Sequence, residues 1–159
     1  MLSEGDLIYL LDDRDRRFWI QLQKDMMKVQ GLGVVDGSKI VGRSDGSLVR
    51  LAGKDFHAFK ATVVQLMESL ERGPQIITPK DAATVVFRLG LKAGDVVLEA
   101  GVGSGALTMA LLSSVMPTGK VISVEVREEF AHRAKRNIER AGLAPCWDLR
   151  IGDVKSVDL

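Results

Sequence analysis

The chain has 159 residues, 46% hydrophobic and 27% charged, with 22 Lys and Arg against 21 Asp and Glu. That composition suits a globular protein with a real core, and the even balance shows none of the basic excess that marks a nucleic-acid-binding surface. The only cysteine, Cys146, excludes a disulfide framework.

Residues 5–55 read as short strands broken by turns. LIYLL (7–11) and RFWIQL (17–22) are β-rich, and the polar DDRDR between them is a hairpin loop. Its arginines, Arg14, Arg16 and Arg17, alternate with Asp12, Asp13 and Asp15, which reads as a solvated loop tip rather than a polyanion site. DGSKIVG (36–42) and SDGSLVRL (44–51) each place Asp-Gly before a short apolar run, a turn followed by a strand. A small β-domain is expected over 1–54.

From Asp55 the apolar positions Phe56, Phe59, Val63, Leu66, Met67 and Leu70 recur at helical spacing. They predict a linking helix over 55–73 and a domain boundary at Gly73-Pro74. Residues 74–159 then alternate helix and strand. A helix over 78–90 has Thr78 as N-cap, Pro79 at its first position, Asp81 at its third and Gly90 as its stop. DVVLE (95–99) is a strand and SGALTMALLSSVM (104–116) a helix. KVISVE (120–125) is a second strand, followed by a helix from about 127 to 141 buried through Phe130, Ala134 and Ile138. WDLRI (147–151) is a third strand, meeting Gly152-Asp153. Such alternation implies right-handed crossovers and a parallel sheet, hence an α/β fold. Cys146, beside Pro145 and Trp147 and distant in sequence from His57 and His132, reads as a packing residue; no metal is expected. The acidic opening MLSEGDL is unlike a secretory signal, and ALTMALLSSVM (106–116) is too short to span a bilayer. A soluble, cytoplasmic protein is the expectation.

The chemistry concentrates at VVLEAGVGSGALT (96–108). Gly101, Gly103 and Ala106 satisfy the dinucleotide fingerprint G-x-G-x-x-G/A, with Glu125 at a distance suited to a ribose, so a nicotinamide cofactor has to be weighed. Glu99, two residues before Gly101, argues otherwise. An acid there repels a pyrophosphate but suits a ligand carrying an ammonium and a sulfonium. Asp153, at the end of the third strand, is placed to accept from an adenine amino group. Three acids at the carboxyl ends of three successive strands stand on the edge where such sheets bind ligands.

E-A-G-V-G-S-G, followed by Glu125 and Gly152-Asp153, resembles the class I S-adenosylmethionine-dependent methyltransferases. RGPQIITPKDA (72–82) and VISVEVREEFAHRAKRNIE (121–139) are similar to the corresponding segments of the tRNA adenine-58 N1-methyltransferase family. The resemblance implies a small N-terminal β-domain followed by the first half of a Rossmann-like methyltransferase sheet. By it, S-adenosylmethionine is the cofactor. Gln75 and the 76–79 segment line its methionine side, and Ser104, Gly105, Ala106 and Leu107 supply loop contacts. Glu125 takes the ribose, Phe130 lies near the adenine, and Asp153 binds its amino group. The implied substrate is tRNA, and the implied assembly is a homo-oligomer, tetrameric in relatives. Two departures stand out. Thr78 replaces a tyrosine common in the family, which removes an aromatic wall. The family's catalytic aspartate follows a fourth strand and so falls beyond Leu159, which leaves the first strand as an exposed apolar edge and gives the chain the look of a truncated enzyme. A non-catalytic subunit supporting an active partner is the alternative, with an NAD-dependent oxidoreductase third.

Overall fold

In a computed structural model, described over residues 1–70 and 76–158, the chain divides into two compact units, 1–62 and 63–159.

The first unit is built on a four-stranded antiparallel sheet. Its strands are β1 (Leu7–Leu11), β2 (Arg17–Gln21), β5 (Ser47–Leu51) and β6 (Lys54–Lys60), in the order β2-β1-β6-β5. A separate hairpin pairs β3 (Met26–Val29) with β4 (Gly33–Asp36). β1 is apolar throughout because it is a central strand: Ile8 and Leu10 face a core shared with Phe18, Ile20, Phe56 and Ala58. Tyr9 lies on the opposite face, its ring 5.5 Å from that of Trp19 and 5.4 Å from that of Phe59. The loop between β1 and β2 is organised by Asp12, whose carboxylate accepts from the Arg14 and Arg16 backbone N–H groups and pairs with the Arg16 guanidinium at 2.7 Å. Arg16 is thereby engaged inside its own loop.

Three expectations change here. Residues 54–60 form β6 rather than the start of a helix, because Phe56 and Phe59 satisfy a helical spacing by coincidence. The decisive pattern is alternation, with Phe56 and Ala58 buried and Asp55 and His57 exposed. The linking helix is correspondingly short, α1 (Val63–Glu68), and the units meet in sequence after Thr62; the boundary expected at Gly73-Pro74 lies outside the described residues. Residues 37–39 form a 3-10 turn capped by Asp36, so IVG is no strand, and Ile40 enters the core directly. The β3–β4 hairpin had no counterpart in the sequence reading.

The second unit holds α2 (Pro79–Leu89), β7 (Val96–Ala100), α3 (Ala106–Val115), β8 (Lys120–Glu125), α4 (Glu128–Arg140) and β9 (Trp147–Ile151). The three strands are parallel in the order β7-β8-β9, with Glu99 opposite Ser123 and Glu125 opposite Ile151. α2 begins as expected. Thr78 Oγ1 accepts from the Asp81 N–H at 3.2 Å and its hydroxyl donates to the Asp81 carboxylate at 2.8 Å, and Gly90 closes the helix with φ +62°. Met109, Leu112 and Val115 of α3 and Ala131, Ala134 and Ile138 of α4 are buried, as is Val121 of β8. β7 is an edge strand on which Val96 and Leu98 remain 69% and 49% exposed.

Candidate cofactor site

β7 ends at Ala100 and the chain turns into α3 through Gly101, Gly103 and Gly105, at φ +86°, +57° and +85°. Side chains rarely adopt such backbone, and three positions of this kind in five residues explain the glycine spacing. The neighbourhoods differ. A Cβ on Gly105 meets Ala134 and Ile138 at 3.5 Å, where α4 passes close to the turn; on Gly101 or Gly103 it meets nothing within 4 Å. Only the backbone conformation, and no crowding neighbour, calls for glycine at those two positions. Their bare backbone leaves open space beside the turn that a ligand can approach.

Glu125, at the end of β8, ties the turn down. Its Oε2 accepts from the Val102 N–H at 3.0 Å and the Gly103 N–H at 3.2 Å, while its Oε1 accepts from the Arg127 N–H at 3.1 Å. A carboxylate has about four lone-pair sites, so three backbone donors leave room for one more partner. The residue expected to hold a ribose therefore has a second task, fixing the glycine turn. Asn137 helps from α4, donating to the Ser104 carbonyl at 3.0 Å.

Glu99 is buried and 6% exposed. Oε2 accepts from the hydroxyls of Thr108 at 2.8 Å and Ser123 at 2.7 Å; Ser123 Oγ in turn accepts from the Trp147 indole N–H at 2.8 Å. Oε1 has no hydrogen-bond partner among the described residues. Burial pushes the Glu99 carboxyl above its ordinary value; the two hydroxyl donors oppose that rise and the nearby Glu125 adds to it.

Phe130 is buried, and the Arg127 guanidinium lies 3.8 Å over its ring. Ala106 opens α3 buried, and Leu107 beside it is half-buried. Asp153 is exposed and accepts from the Lys155 N–H at 2.9 Å. The Gly152 N–H donates to the Glu125 carbonyl at 3.0 Å, which brings the Gly-Asp pair to the end of β8. Gln75 lies outside the described residues. The fold thus gathers Glu99, the glycine turn, Glu125 and Phe130 at the carboxyl end of the sheet. Sequence reasoning missed Thr108, Ser123, Trp147, Asn137 and Arg127. Only Ser123, a hydroxyl within the apolar run KVISVE, left a trace in the sequence. A cleft of about 370 Å³ between α4 and β9, lined by His132, Lys135, Glu139, Ala144, Trp147, Leu149 and Ile151, includes neither the glycine turn nor its acids. Among the described residues no three His, Cys, Asp or Glu side chains gather to hold a metal, and no helix is long and apolar enough to cross a membrane.

Comparison with known proteins gives the family and the fold. The family model described as tRNA methyltransferase complex GCD14 subunit matches residues 56–158. The chain is 37% identical over 134 residues to the tRNA (adenine(57)-N(1)/adenine(58)-N(1))-methyltransferase TrmI of Methanocaldococcus jannaschii, covering 84% of this chain and 46% of the relative. It is 32% identical over 131 residues to the tRNA (adenine(58)-N(1))-methyltransferase TrmI of Thermus thermophilus, covering 81% and 51%. The chain therefore spans about half the length of these curated relatives. Among solved structures, a SAM-dependent O-methyltransferase from Thermotoga maritima matches with a TM-score of 0.81 at 29% identity, covering 99% of this chain and 59% of that one. The tRNA (m1A58) methyltransferase TrmI from Aquifex aeolicus matches with 0.72 at 28%, covering 99% and 61%. The fold is that of a Rossmann-like methyltransferase preceded by an antiparallel β unit, and the chain belongs to the GCD14 family of tRNA methyltransferase subunits.

Proposed function

We propose that these residues bind S-adenosylmethionine and serve methyl transfer to N1 of adenine in tRNA. The observation that carries the reading is the pairing of an open glycine turn with two buried acids, Glu99 and Glu125, at the ends of adjacent strands. A pyrophosphate is repelled by such a pair. A nucleoside with a sulfonium and an ammonium is complementary to it, and the orphaned Glu99 Oε1 is the kind of buried acceptor that a cation satisfies.

The cofactor supplies an electrophilic methyl group. The chain supplies position and charge. Gly101 and Gly103 let the backbone approach, and the remaining acceptor capacity of Glu125 suits a ribose hydroxyl. Glu99 faces the cationic end, the buried Phe130 lies by the adenine, and Asp153 accepts from the adenine amino group. Gln75 is assigned to the methionine side with the 76–79 segment. Holding a methyl donor in a fixed, desolvated geometry is the part of catalysis these residues can perform. The acceptor base and the group that manages its proton belong to no residue assigned here. The intact E-A-G-V-G-S-G turn favours a catalytic role over a supporting one, and assembly with further copies belongs to the same proposal.

Methyl-labelled S-adenosylmethionine incubated with the protein and unmodified tRNA tests this. The expected product is labelled 1-methyladenosine, absent with Glu125→Ala. Label in no nucleoside, from protein that binds the cofactor, contradicts the transfer; absence of binding contradicts the whole reading.

A further inference from the structure

The hydrogen-bond chain beneath the glycine turn has a direction. An indole N–H can only donate, so the Ser123 oxygen must accept from Trp147, and the single Ser123 proton is left to point at Glu99. The Thr108 hydroxyl points at the same oxygen. Oε2 therefore receives two protons that belong to its neighbours, and Oε1 receives none from the described residues. The relay links three separate elements: Thr108 on α3, Ser123 on β8 and Trp147 on β9. Of the ionisable groups that act on Glu99, the one identified is Glu125, of the same sign. A carboxylate 6% exposed with an unpaired oxygen and a like charge nearby is unfavourable in the ionised form. It is relieved by a proton on Oε1 or by a cation beside it.

We propose that Glu99 is a proton–cation exchange site: Oε1 carries a proton in the free protein and gives it up when a cationic ligand binds. The Trp147–Ser123 and Thr108 hydroxyl donors position the carboxyl and fix which oxygen exchanges. The balance is simple. The O–H bond on Oε1 breaks, its electron pair stays on the carboxylate, the proton leaves to solvent, and the ligand's cationic group takes its place. The identity of that cation as the ammonium end of S-adenosylmethionine rests on the function proposed above; the protonation of free Glu99 does not.

Two measurements separate these claims. The first needs no ligand. Infrared difference spectra of the protein, taken above the pH range in which exposed carboxyls ionise, should contain a protonated-carboxyl C=O band that disappears in Glu99→Gln, while Glu139→Gln, an exposed control on α4, keeps it. Identical spectra for wild type and Glu99→Gln overturn the proton on Oε1. The second is calorimetric titration with S-adenosylmethionine in buffers of different ionisation enthalpy. Wild type should release protons on binding, in an amount that follows the ionisation of free Glu99 with pH. Glu99→Gln should bind more weakly with that release abolished. Ser123→Ala removes a donor that lowers the Glu99 value, so it should shift the pH profile of release upward. Ser123→Thr should restore it, and Trp147→Phe should shift it upward by less. A structural defect alone would change affinity without moving the profile. Equal proton release by wild type and Glu99→Gln overturns the exchange while leaving cofactor binding intact. A protonated Glu99 in a protein that binds no S-adenosylmethionine overturns the exchange and the functional reading together.

Discussion

The two units treat buried charge in opposite ways. In the first, the buried Asp12 carboxylate meets two backbone N–H groups and a guanidinium, every contact made within one hairpin loop. Burial works to raise its pKa, but these partners win and hold it below the ordinary value. In the second unit, Glu99 has hydroxyl donors on one oxygen and, among the described residues, nothing on the other, and its value is raised. Asp12 organises a loop, whereas Glu99 is an acceptor left incomplete by its own fold. An unfinished acid beside an open glycine turn is what distinguishes a binding site from scaffold.

The sharpest way to test the scaffold side is Phe56→Ala. Phe56 is 1% exposed in the first unit's core, and its truncation should cost about 3–5 kcal/mol. Trp19 and Trp147 lie in different units, so urea melts in a Trp147→Phe background report Trp19 alone. A shift well under 1 kcal/mol would mean the core is not where the structure puts it.

On the site side the largest effect belongs to Glu125→Ala, which removes the anchor of the glycine turn together with the ligand contact proposed for it. Affinity for S-adenosylmethionine should fall by about 100-fold, the worth of one to two charge-assisted hydrogen bonds. Amide exchange at Val102 and Gly103, whose N–H groups it holds, should accelerate without ligand.

Glu99→Gln should have opposite effects on stability and binding. A carboxyl whose folded value is raised stabilises the fold fully below its unfolded pKa and loses that contribution as pH rises through the folded one. Between the unfolded value and the raised folded one, folding has to take up a proton, and the contribution falls as pH rises, so Glu99→Gln should gain Tm relative to wild type as the pH is raised while weakening cofactor binding. For Asp12 the sign reverses: its lowered value contributes stability above the unfolded pKa, lost as pH falls through the folded one. A Tm difference between wild type and Glu99→Gln that stays the same from acidic to neutral pH would dissolve the contrast with Asp12.

The smallest effects come from single backbone features. Gly103→Ala, at φ +57° with no neighbour within 4 Å, should cost about 1 kcal/mol of stability and more than that in affinity, since its Cβ intrudes on ligand space alone. Thr78→Ala should cost α2 about 1 kcal/mol, visible as a lower Tm.

How much of this was legible depended on how local the signal was. The capping of α2 by Thr78 and Asp81, its stop at Gly90 and the buried face of α4 through Phe130, Ala134 and Ile138 lie within one helix and were readable from spacing. The parallel sheet followed from alternation. β6 was not readable, because two phenylalanines three residues apart fit one helix face as well as the two opposite faces of a strand, and only the pairing with β1 and β5 decides. Glu99 and Glu125 stood out from their place beside the glycines. Their partners did not: strand register sets Ser123 against Glu99, and Trp147 reaches Ser123 from β9, the next strand across. The acids of the site are local, but the charge state of Glu99 is tertiary.

The most direct test of the central claim is calorimetric titration of the protein with S-adenosylmethionine, with NAD as control. Saturable binding of S-adenosylmethionine alone, weakened about 100-fold in Glu125→Ala, is the predicted result. Binding of NAD instead, or of neither ligand by folded protein, would contradict the assignment of the glycine turn and its two acids.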